Sequence, residues 1–315
     1  MKGKSVFKSK VKKRRTVSVI NYLRNNYQLY LMLVLPLIYL ALFKYRPMFG
    51  TIVAFKKFNV FKGIMDSPWI GFSHFEETFS SMDFWLALKN TLILNFGDII
   101  IGFPIPIILA LFLYELNSKV IKKSTQLILY LPNFFSWVII SGIVAQLCSG
   151  SGLINSVITS LGGNTIEFLT VPWIWRIVYW ISGVWHGAGY GLIIYLAALT
   201  STDPSLSEAA YIDGAGRLKR IWSVTIPQIK GTISVMLIMS LGQVVSIGFD
   251  RPFMMSNTMV KDAANVISTY VYSVGLQSAR FDFATAVGLF QSVVGVSLIL
   301  AVNTIAKKIG EEGVI

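Results

Sequence analysis

Six apolar runs, separated by polar stretches, constrain the fold of this 315-residue chain more than any other feature of its sequence. A helix of about 20 apolar residues crosses the hydrocarbon core of a bilayer, and its backbone polar groups must be satisfied within the protein. Charged residues make up only 14% of the chain, against about 25% in a typical soluble domain. The sequence therefore predicts an all-α polytopic membrane protein with six transmembrane helices. The predicted spans are residues 27–43, 90–113, 126–148, 175–200, 226–249 and 283–305.

Basic residues are distributed unevenly between the two sides of this predicted topology. Nine of the 28 lysines and arginines lie within the first 24 residues, and eighteen in all lie on the predicted inner side against ten on the outer. Such a bias is typical of cytoplasmic segments. We therefore expect a basic cytoplasmic arm over residues 1–26, a six-span transmembrane domain over 27–306 and a cytoplasmic tail over 307–315. Nucleic-acid binding is a rival interpretation of the arm, but no nucleic-acid-reading motif accompanies it.

The segments between the spans are predicted mainly as loops. Residues 44–86 are rich in aromatic side chains, which suit a membrane interface, and residues 80–85 look like the start of a helix. Residues 115–125 are predicted as a short basic loop, and residues 250–280 as an outer loop.

The polar stretch over residues 202–227 has the signals of two short helices joined by a bend. Asp203 is a suitable N-cap, and Pro204 suits the first helical position. Acidic residues lie in the first half and basic residues in the second, which complements a helix macrodipole. Gly214 and Gly216 permit the bend, because glycine tolerates dihedral angles that other residues avoid. The alternative interpretation is an amphipathic helix on a membrane surface.

This stretch resembles the EAA loop of ABC importer permeases. The family pattern is Glu-Ala-Ala, three residues, Gly, nine residues, an aliphatic residue, one more, and a Leu/Ile-Pro pair. Here Glu208-Ala209-Ala210 leads to Gly214, nine residues follow, and Val224-Thr225-Ile226-Pro227 closes the pattern. Further segments resemble the lipoprotein-dependent, complex-oligosaccharide branch of the carbohydrate permeases; they are residues 43–48, 89–94, 130–137, 213–217 and 306–313.

The resemblance implies the type I ABC importer permease fold, with cytoplasmic EAA coupling helices. It also implies a multi-pass subunit of a bacterial cell membrane that forms half of a translocation pathway for a sugar, expected to be an oligosaccharide. The implied partners are a second homologous permease chain, two ATP-binding cassette subunits that bind ATP and Mg, and an extracellular solute-binding protein. The chain itself is expected to be non-catalytic and to hold no cofactor. The implied ATPase-coupling residues are Glu208, Ala209, Ala210, Asp213, Gly214, Gly216, Arg217 and Pro227.

The resemblance further implies a substrate path through the fourth and fifth spans. In maltose-type relatives, sugar contacts lie before the EAA glutamate and again in the span after the loop. The corresponding residues here are Gly183, Trp185, His186, Gly187 and Tyr190 before the loop, and Ser240, Gln243, Val244 and Ile247 after it. Of these, Trp185, His186, Gly187, Tyr190, Ser240 and Gln243 are expected to line the path. Aromatic faces suit the C–H surfaces of a sugar, and amide or imidazole groups fix its hydroxyls. The alternative is that these side chains only pack between helices. His186 also departs from the family pattern, which has an aliphatic residue there.

Three features inside the spans carry separate expectations. Asp98 lies within the second span, where an acid is either functional or paired with a neighbouring helix; both interpretations stay open. Pro104 and Pro106 are expected to kink the same span. Gly187 and Gly191 have the spacing of small residues that let helices approach closely.

Several classes of function lack support in the sequence. A phosphate-binding Gly-x-x-x-x-Gly-Lys-Ser/Thr motif is missing, and His74, His186 and Cys148 do not have metal-ligand spacing. Paired carboxylates for acid–base chemistry do not stand out either. A membrane enzyme is therefore disfavoured. A self-contained secondary transporter of a small polar solute is the main alternative function, although its inverted repeats and broken helices are not evident in the sequence.

Overall fold

The computed structural model describes residues 25–308, and the chain divides into two compact units after Ile52. Most of the predicted arm over residues 1–26 and most of the predicted tail over 307–315 lie outside the described residues. The described residues are helical, without a strand, and one isolated bridge joins Lys56 to Trp69. The helices of eight or more residues are α1 Tyr27–Leu40, α2 Ser73–Ser80, α3 Met82–Gly97, α4 Pro104–Tyr114, α5 Lys119–Tyr130, α6 Trp137–Leu147, α7 Leu153–Ser160, α8 Pro172–Thr200, α9 Pro204–Ile212, α10 Lys230–Gly242 and α11 Phe281–Lys308.

The described residues contain four helical segments that are long and apolar enough to cross a membrane, or up to six if two bent helix pairs each count as one span. The four are Tyr27–Phe55, Met82–Tyr114, Pro172–Thr200 and Phe281–Lys308. The bent pairs are Lys119–Phe134 with Trp137–Leu147, and Arg217–Gln228 with Lys230–Gly242. The prediction of six spans therefore corresponds to the upper count.

The first unit contains α1, which does not stop at the predicted end of the first span. The helical path continues past residue 43 through a π-helical turn at Ala41–Tyr45 and the short helix Arg46–Met48. Pro47 does not end it. Pro47 stands at the start of the helix Arg46–Met48, directly after the π-helical turn, and proline's missing N–H is tolerated at the start of a helix.

The second predicted span begins earlier than residue 90. Helix α3 starts at Met82, and the Ser81 hydroxyl accepts a hydrogen bond from the backbone N–H of Phe84 at 3.4 Å. The predicted helix start at residues 80–85 is thus confirmed. A π-helical turn, Asp98–Gly102, separates α3 from α4. It ends at Gly102, with Phe103 between it and Pro104, and the nitrogen of Pro104 cannot donate a helical hydrogen bond.

The third predicted span, residues 126–148, is wrong as a single helix. Helices α5 and α6 are bent by 103° relative to each other. Pro132 removes a backbone donor at the break, and Phe135 adopts an extended conformation. The carbonyl oxygen of Phe135 lies 3.1 Å from Nε2 of His186, so the break is held by a side chain of α8.

The fifth predicted span, residues 226–249, is also interrupted. Helix α10 ends at Gly242. The Asn95 amide donates to the carbonyl of Val244 at 2.7 Å, and the Gln291 amide donates to that of Val245 at 2.8 Å. Since these distant side chains satisfy carbonyls that a helix would have bonded, the chain can leave the helix at this depth.

The three segments predicted as loops contain helices. Within residues 44–86 lies α2, and α5 begins inside the predicted loop 115–125. Residues 250–280 form the short helices Asp250–Met255, Lys261–Ala264 and Ile267–Tyr272. Val260, Val266 and Ile267 are fully buried there, so part of this predicted loop belongs to the core.

Helix α8 organises the core of the second unit. Trp175 and Tyr179 on α8 are fully buried, and the Trp175 indole donates to the carbonyl of Met255 at 2.8 Å. Gly191 permits the close helix approach predicted for it, since a Cβ there would lie 2.8 Å from the Pro106 ring. Gly187 makes no such approach within this chain, because a Cβ at that position would meet nothing within 4 Å.

Candidate functional site

The first half of the 202–227 loop folds as its local signals predict. The carboxylate of Asp203 accepts a hydrogen bond from the backbone N–H of Ser205 at 2.9 Å, and this bond lowers the pKa of Asp203 below its ordinary value. Pro204 opens α9. Gly214 has φ +80°, a left-handed conformation that costs side-chain-bearing residues energy. The backbone N–H of Ala215 then donates to the carbonyl of Ala210 at 2.9 Å, which closes the helix end.

The second half of the loop is a helical run from Arg217 to Gln228, with a π-helical turn at Ile221–Thr225. Gly216 precedes it with φ −64° and ψ 163°. Any residue adopts these angles, so the bend depends on Gly214 and not on Gly216. Pro227 lies in the short helix Ile226–Gln228, where the run approaches its 67° bend with α10.

Two basic residues of the second half fix the loop, one to the end of α4 and one to the first half of the loop. Nε of Arg217 lies 3.2 Å from a carboxylate oxygen of Glu115, at the end of α4. The guanidinium of Arg220 lies over the ring of Tyr211, 5.2 Å from its centroid. Arg217 thereby connects the predicted coupling residues to the segment that contains the second span.

Most of the loop surface is exposed within this chain. Glu208, Ala209, Asp213, Gly214 and Gly216 are exposed, and Ala210 is half-buried. Large apolar side chains are exposed beside them: Leu206, Tyr211, Ile212, Leu218 and Trp222. Exposed apolar patches of this kind are typical of surfaces that bind a partner or a membrane.

Ser240 and Gln243, predicted for the substrate path, line one cavity of about 290 Å³, here called the Gln243 cavity. Asn95, Asp98 and Tyr195 also line it. Ser240 donates a hydrogen bond to the carbonyl of Met236 at 2.9 Å, and the Tyr195 hydroxyl is buried without a partner among the described residues. The cavity therefore combines polar side chains with a largely apolar lining, and one of its lining residues has an unused hydrogen-bonding group.

The structure does not bring the other predicted path residues into this cavity. Trp185 lines a separate apolar cavity of about 590 Å³. Tyr190 is exposed, Gly187 is half-buried, and His186 contacts the break between α5 and α6. Successive residues of a helix advance by about 100° around its axis, so residues 185–190 of α8 point in several directions. Their contact with substrate remains a prediction.

Asp98 is paired, which one of the two open interpretations expected. Its carboxylate accepts two hydrogen bonds from Arg251, at 2.7 Å and 3.1 Å. Arg251 follows the interrupted fifth span and was placed by sequence in an outer loop, so its connection to Asp98 was missed. One signal was available, because an acid inside an apolar run requires a compensating charge, and Arg251 stands at the end of another such run.

Comparison with known proteins identifies the family. Residues 88–309 match the family described as binding-protein-dependent transport system inner membrane component. The polygalacturonan/rhamnogalacturonan transport system permease protein YteP of Bacillus subtilis (strain 168) is 42% identical over 310 residues, which cover 98% of this chain and 95% of YteP. Protein LplB of the same organism is 40% identical over 298 residues, covering 94% of each chain.

Solved structures agree in fold over almost the whole chain. A crystal structure of a bacterial ABC transporter involved in the import of the acidic polysaccharide alginate has a TM-score of 0.84 and 40% identity, covering 92% of this chain and 98% of that one. The bacterial alginate ABC transporter in complex with alginate pentasaccharide-bound periplasmic protein has a TM-score of 0.84 and 39% identity, covering 94% of this chain and 99% of that one. The protein therefore belongs to the family of binding-protein-dependent transport system inner membrane components, and it has the type I ABC importer permease fold.

Proposed function

We propose that this protein forms half of the translocation pathway of an ATP-driven importer that receives an oligosaccharide from an extracellular binding protein. The observation that carries the proposal is the structure of residues 202–227, here called the coupling loop. It combines the complete EAA spacing, a left-handed Gly214 and an exposed apolar surface. A secondary transporter has no need for such a surface on its loop.

In this proposal, a second homologous permease chain completes the pathway, and two ATP-binding cassette subunits dock on the two coupling loops. ATP and Mg bind to those subunits, so this chain is non-catalytic and needs no cofactor. Both termini and the coupling loop face the cytoplasm, where the ATPases are. The bias of basic residues supports this orientation.

Acidic oligosaccharides are the first substrates to test. YteP is described as a polygalacturonan/rhamnogalacturonan permease, and the solved importer carries the acidic polysaccharide alginate. The Gln243 cavity contains amide and hydroxyl side chains that suit sugar hydroxyls, which supports the assignment to sugars but does not select one.

The test is uptake by the assembled importer in proteoliposomes. We expect ATP and the binding protein to be required together, with oligogalacturonides and alginate oligosaccharides compared against neutral oligosaccharides of equal length. Uptake that follows an ion gradient without ATP would favour the secondary transporter. Failure of every oligosaccharide, with ATP-dependent uptake of another solute, would overturn the substrate class alone.

A further inference from the structure

Two cavities in the second unit share lining residues. The Gln243 cavity has been described above. A second cavity of about 280 Å³, here called the Arg251 cavity, is lined by Trp137, Tyr179, Ser246 and Arg251. Asn95 and Asp98 line both cavities, so these two residues lie between them.

The cavities follow one another along the same three elements. On the path from α3 to α4, Asn95 and Asp98 line the Arg251 cavity, and the lining of the Gln243 cavity continues to Pro106. On α8 the corresponding residues are Tyr179 for the Arg251 cavity and Gly191 and Tyr195 for the Gln243 cavity.

The third element is α10 with the chain that follows it. It runs in the opposite direction, and along it the two cavities come in the same spatial order. Met236, Ser240 and Gln243 line the Gln243 cavity, and Ser246, Ile247, Gly248, Asp250 and Arg251 line the other. Close contacts hold the first two elements side by side in parallel, since Gly97 packs against Trp180 and Gly191 against Pro106. The two cavities are therefore stacked in the direction in which these helices cross the membrane.

Asp98, one of the shared lining residues, forms a closely packed ion pair with Arg251, which lines the Arg251 cavity. Both terminal nitrogens of Arg251 donate to the Asp98 carboxylate, at 2.7 Å and 3.1 Å, and Nη2 also donates to the carbonyl of Tyr179. The guanidinium lies over the ring of Tyr179, 3.6 Å from its centroid, and 5.1 Å from that of Trp137. Gly183 leaves room for it, because a Cβ there would overlap the guanidinium.

We propose that the Asp98–Arg251 ion pair is a barrier between the two cavities, and that it must part for a solute to pass from one to the other. This inference rests on the proposed transport function. Charges in a medium of low polarity are stable only when paired, so the pair resists opening. Tyr179 Oη and Arg251 Nε have no partner among the described residues. A polyhydroxylated solute can supply hydrogen bonds to these atoms and to the separated charges.

The first test is the side from which each cavity can be reached. Single cysteines replace Ser240 in the Gln243 cavity and Ser246 in the Arg251 cavity, both in a Cys148→Ala background. The assembled importer, without ATP, is treated with a membrane-impermeant maleimide in right-side-out and inside-out vesicles. We expect the two cysteines to react from opposite sides, each with a preference of about tenfold or more, given the cost of separating a buried pair.

The second test removes the charges. In the Asp98→Asn/Arg251→Gln variant, the cysteines at positions 240 and 246 should each react from both sides. The matched control is Glu77→Gln/Arg280→Gln, which neutralises another bidentate ion pair whose residues line neither cavity. This control should retain the side preference.

Two outcomes would overturn the proposal. One is equal labelling of position 240 from both sides while the ion pair is intact. The other is a side preference that survives in an assembled Asp98→Asn/Arg251→Gln importer. The first measurement leaves the pair unchanged, so it decides the proposal even if the double variant fails to assemble. Neither measurement uses a sugar, and a failure of the proposed transport function would appear separately in the uptake assay.

Discussion

At the scale of single residues, the same residue type has different roles according to its backbone and its neighbours. Gly214 is required for a left-handed conformation at φ +80°, whereas Gly183 is required for the space that Arg251 fills. Gly216, two residues after Gly214, has ordinary angles. A glycine in a motif is therefore informative only together with its dihedral angles and its contacts.

Gly214→Val should uncouple transport without preventing membrane insertion. A β-branched residue in a left-handed conformation costs about 1–3 kcal/mol, and relief of this strain would reorient the helical run that begins at Arg217. We expect sugar uptake to fall about tenfold or more, since 1.4 kcal/mol corresponds to a factor of ten. The control is Gly162→Val, which has a similar φ of +86° and open space around it. Equal losses in both variants would indicate general misfolding instead of a defect in coupling.

Glu208→Lys should weaken the association with the ATPase subunits. Glu208 is exposed on α9, where we propose that it meets a basic group of the ATPase. Loss of a hydrogen bond to a charged group costs about 1.5–3 kcal/mol. The measurement is ATPase co-purification together with sugar uptake. Glu76→Lys makes the same charge change at an exposed residue of α2 and should leave both unchanged. Normal values in Glu208→Lys would remove this residue from the coupling surface.

At the scale of elements, interrupted helices distinguish this fold from a bundle of six simple spans. The break between α5 and α6 is bonded by His186, and the chain after α10 is bonded by Asn95 and Gln291. Each break exposes carbonyl groups that lipid cannot satisfy. A polar side chain from another helix is therefore part of the structure of each interruption.

Glu77 of α2 and Arg280, the residue before α11, form an ion pair whose stability depends on pH. Arg280 donates two hydrogen bonds to the Glu77 carboxylate, at 2.5 Å and 2.7 Å, and these bonds hold the pKa of Glu77 below its ordinary value of 4.5. Its stabilisation is therefore complete above pH 4.5 and is lost as the pH falls through the lowered pKa.

Both side chains of this pair are partly exposed, so Glu77→Gln should cost only about 0.2–1 kcal/mol at neutral pH. The difference in thermal midpoint between the variant and the unmodified protein in detergent should shrink as the pH falls below 4.5, the ordinary pKa of Glu77. Glu76→Gln serves as the control and should show no such difference. A difference for Glu77→Gln that stays constant with pH would contradict the assignment of the pair as an ionic contact.

At the scale of the whole molecule, the distribution of apolar and charged surface indicates a subunit that works inside a complex. Large apolar side chains such as Tyr211 and Trp222 are exposed in the coupling loop, and the spans expose many more. Lipid suits the spans. In the coupling loop the exposed apolar side chains are interspersed with charged residues. We therefore propose that another protein, and not lipid, covers the loop.

The proposed orientation predicts which side of the membrane the coupling loop faces. In a Cys148→Ala background, a cysteine at position 216 should not react with an impermeant maleimide added to intact cells, and it should react after the cells are opened. A cysteine that replaces the exposed Ser278, on the proposed outer side, should react in intact cells and serves as the positive control. Ready labelling of position 216 from outside would reverse the topology.

The sequence by itself determined the class of fold, the family and the local structure of the coupling loop. Apolar runs, the Asp203 cap, Pro204 and Gly214 act over one or two turns of chain, so neighbouring residues are sufficient to specify them. The interruptions of the third and fifth spans, the partner of Asp98 and the division of the path residues between cavities were decided by tertiary structure. Asn95 and Val244 are 149 residues apart, and Asp98 and Arg251 are 153 apart. A break or a buried charge is stable only where folding brings such a partner within hydrogen-bonding distance, and no local pattern records that distance.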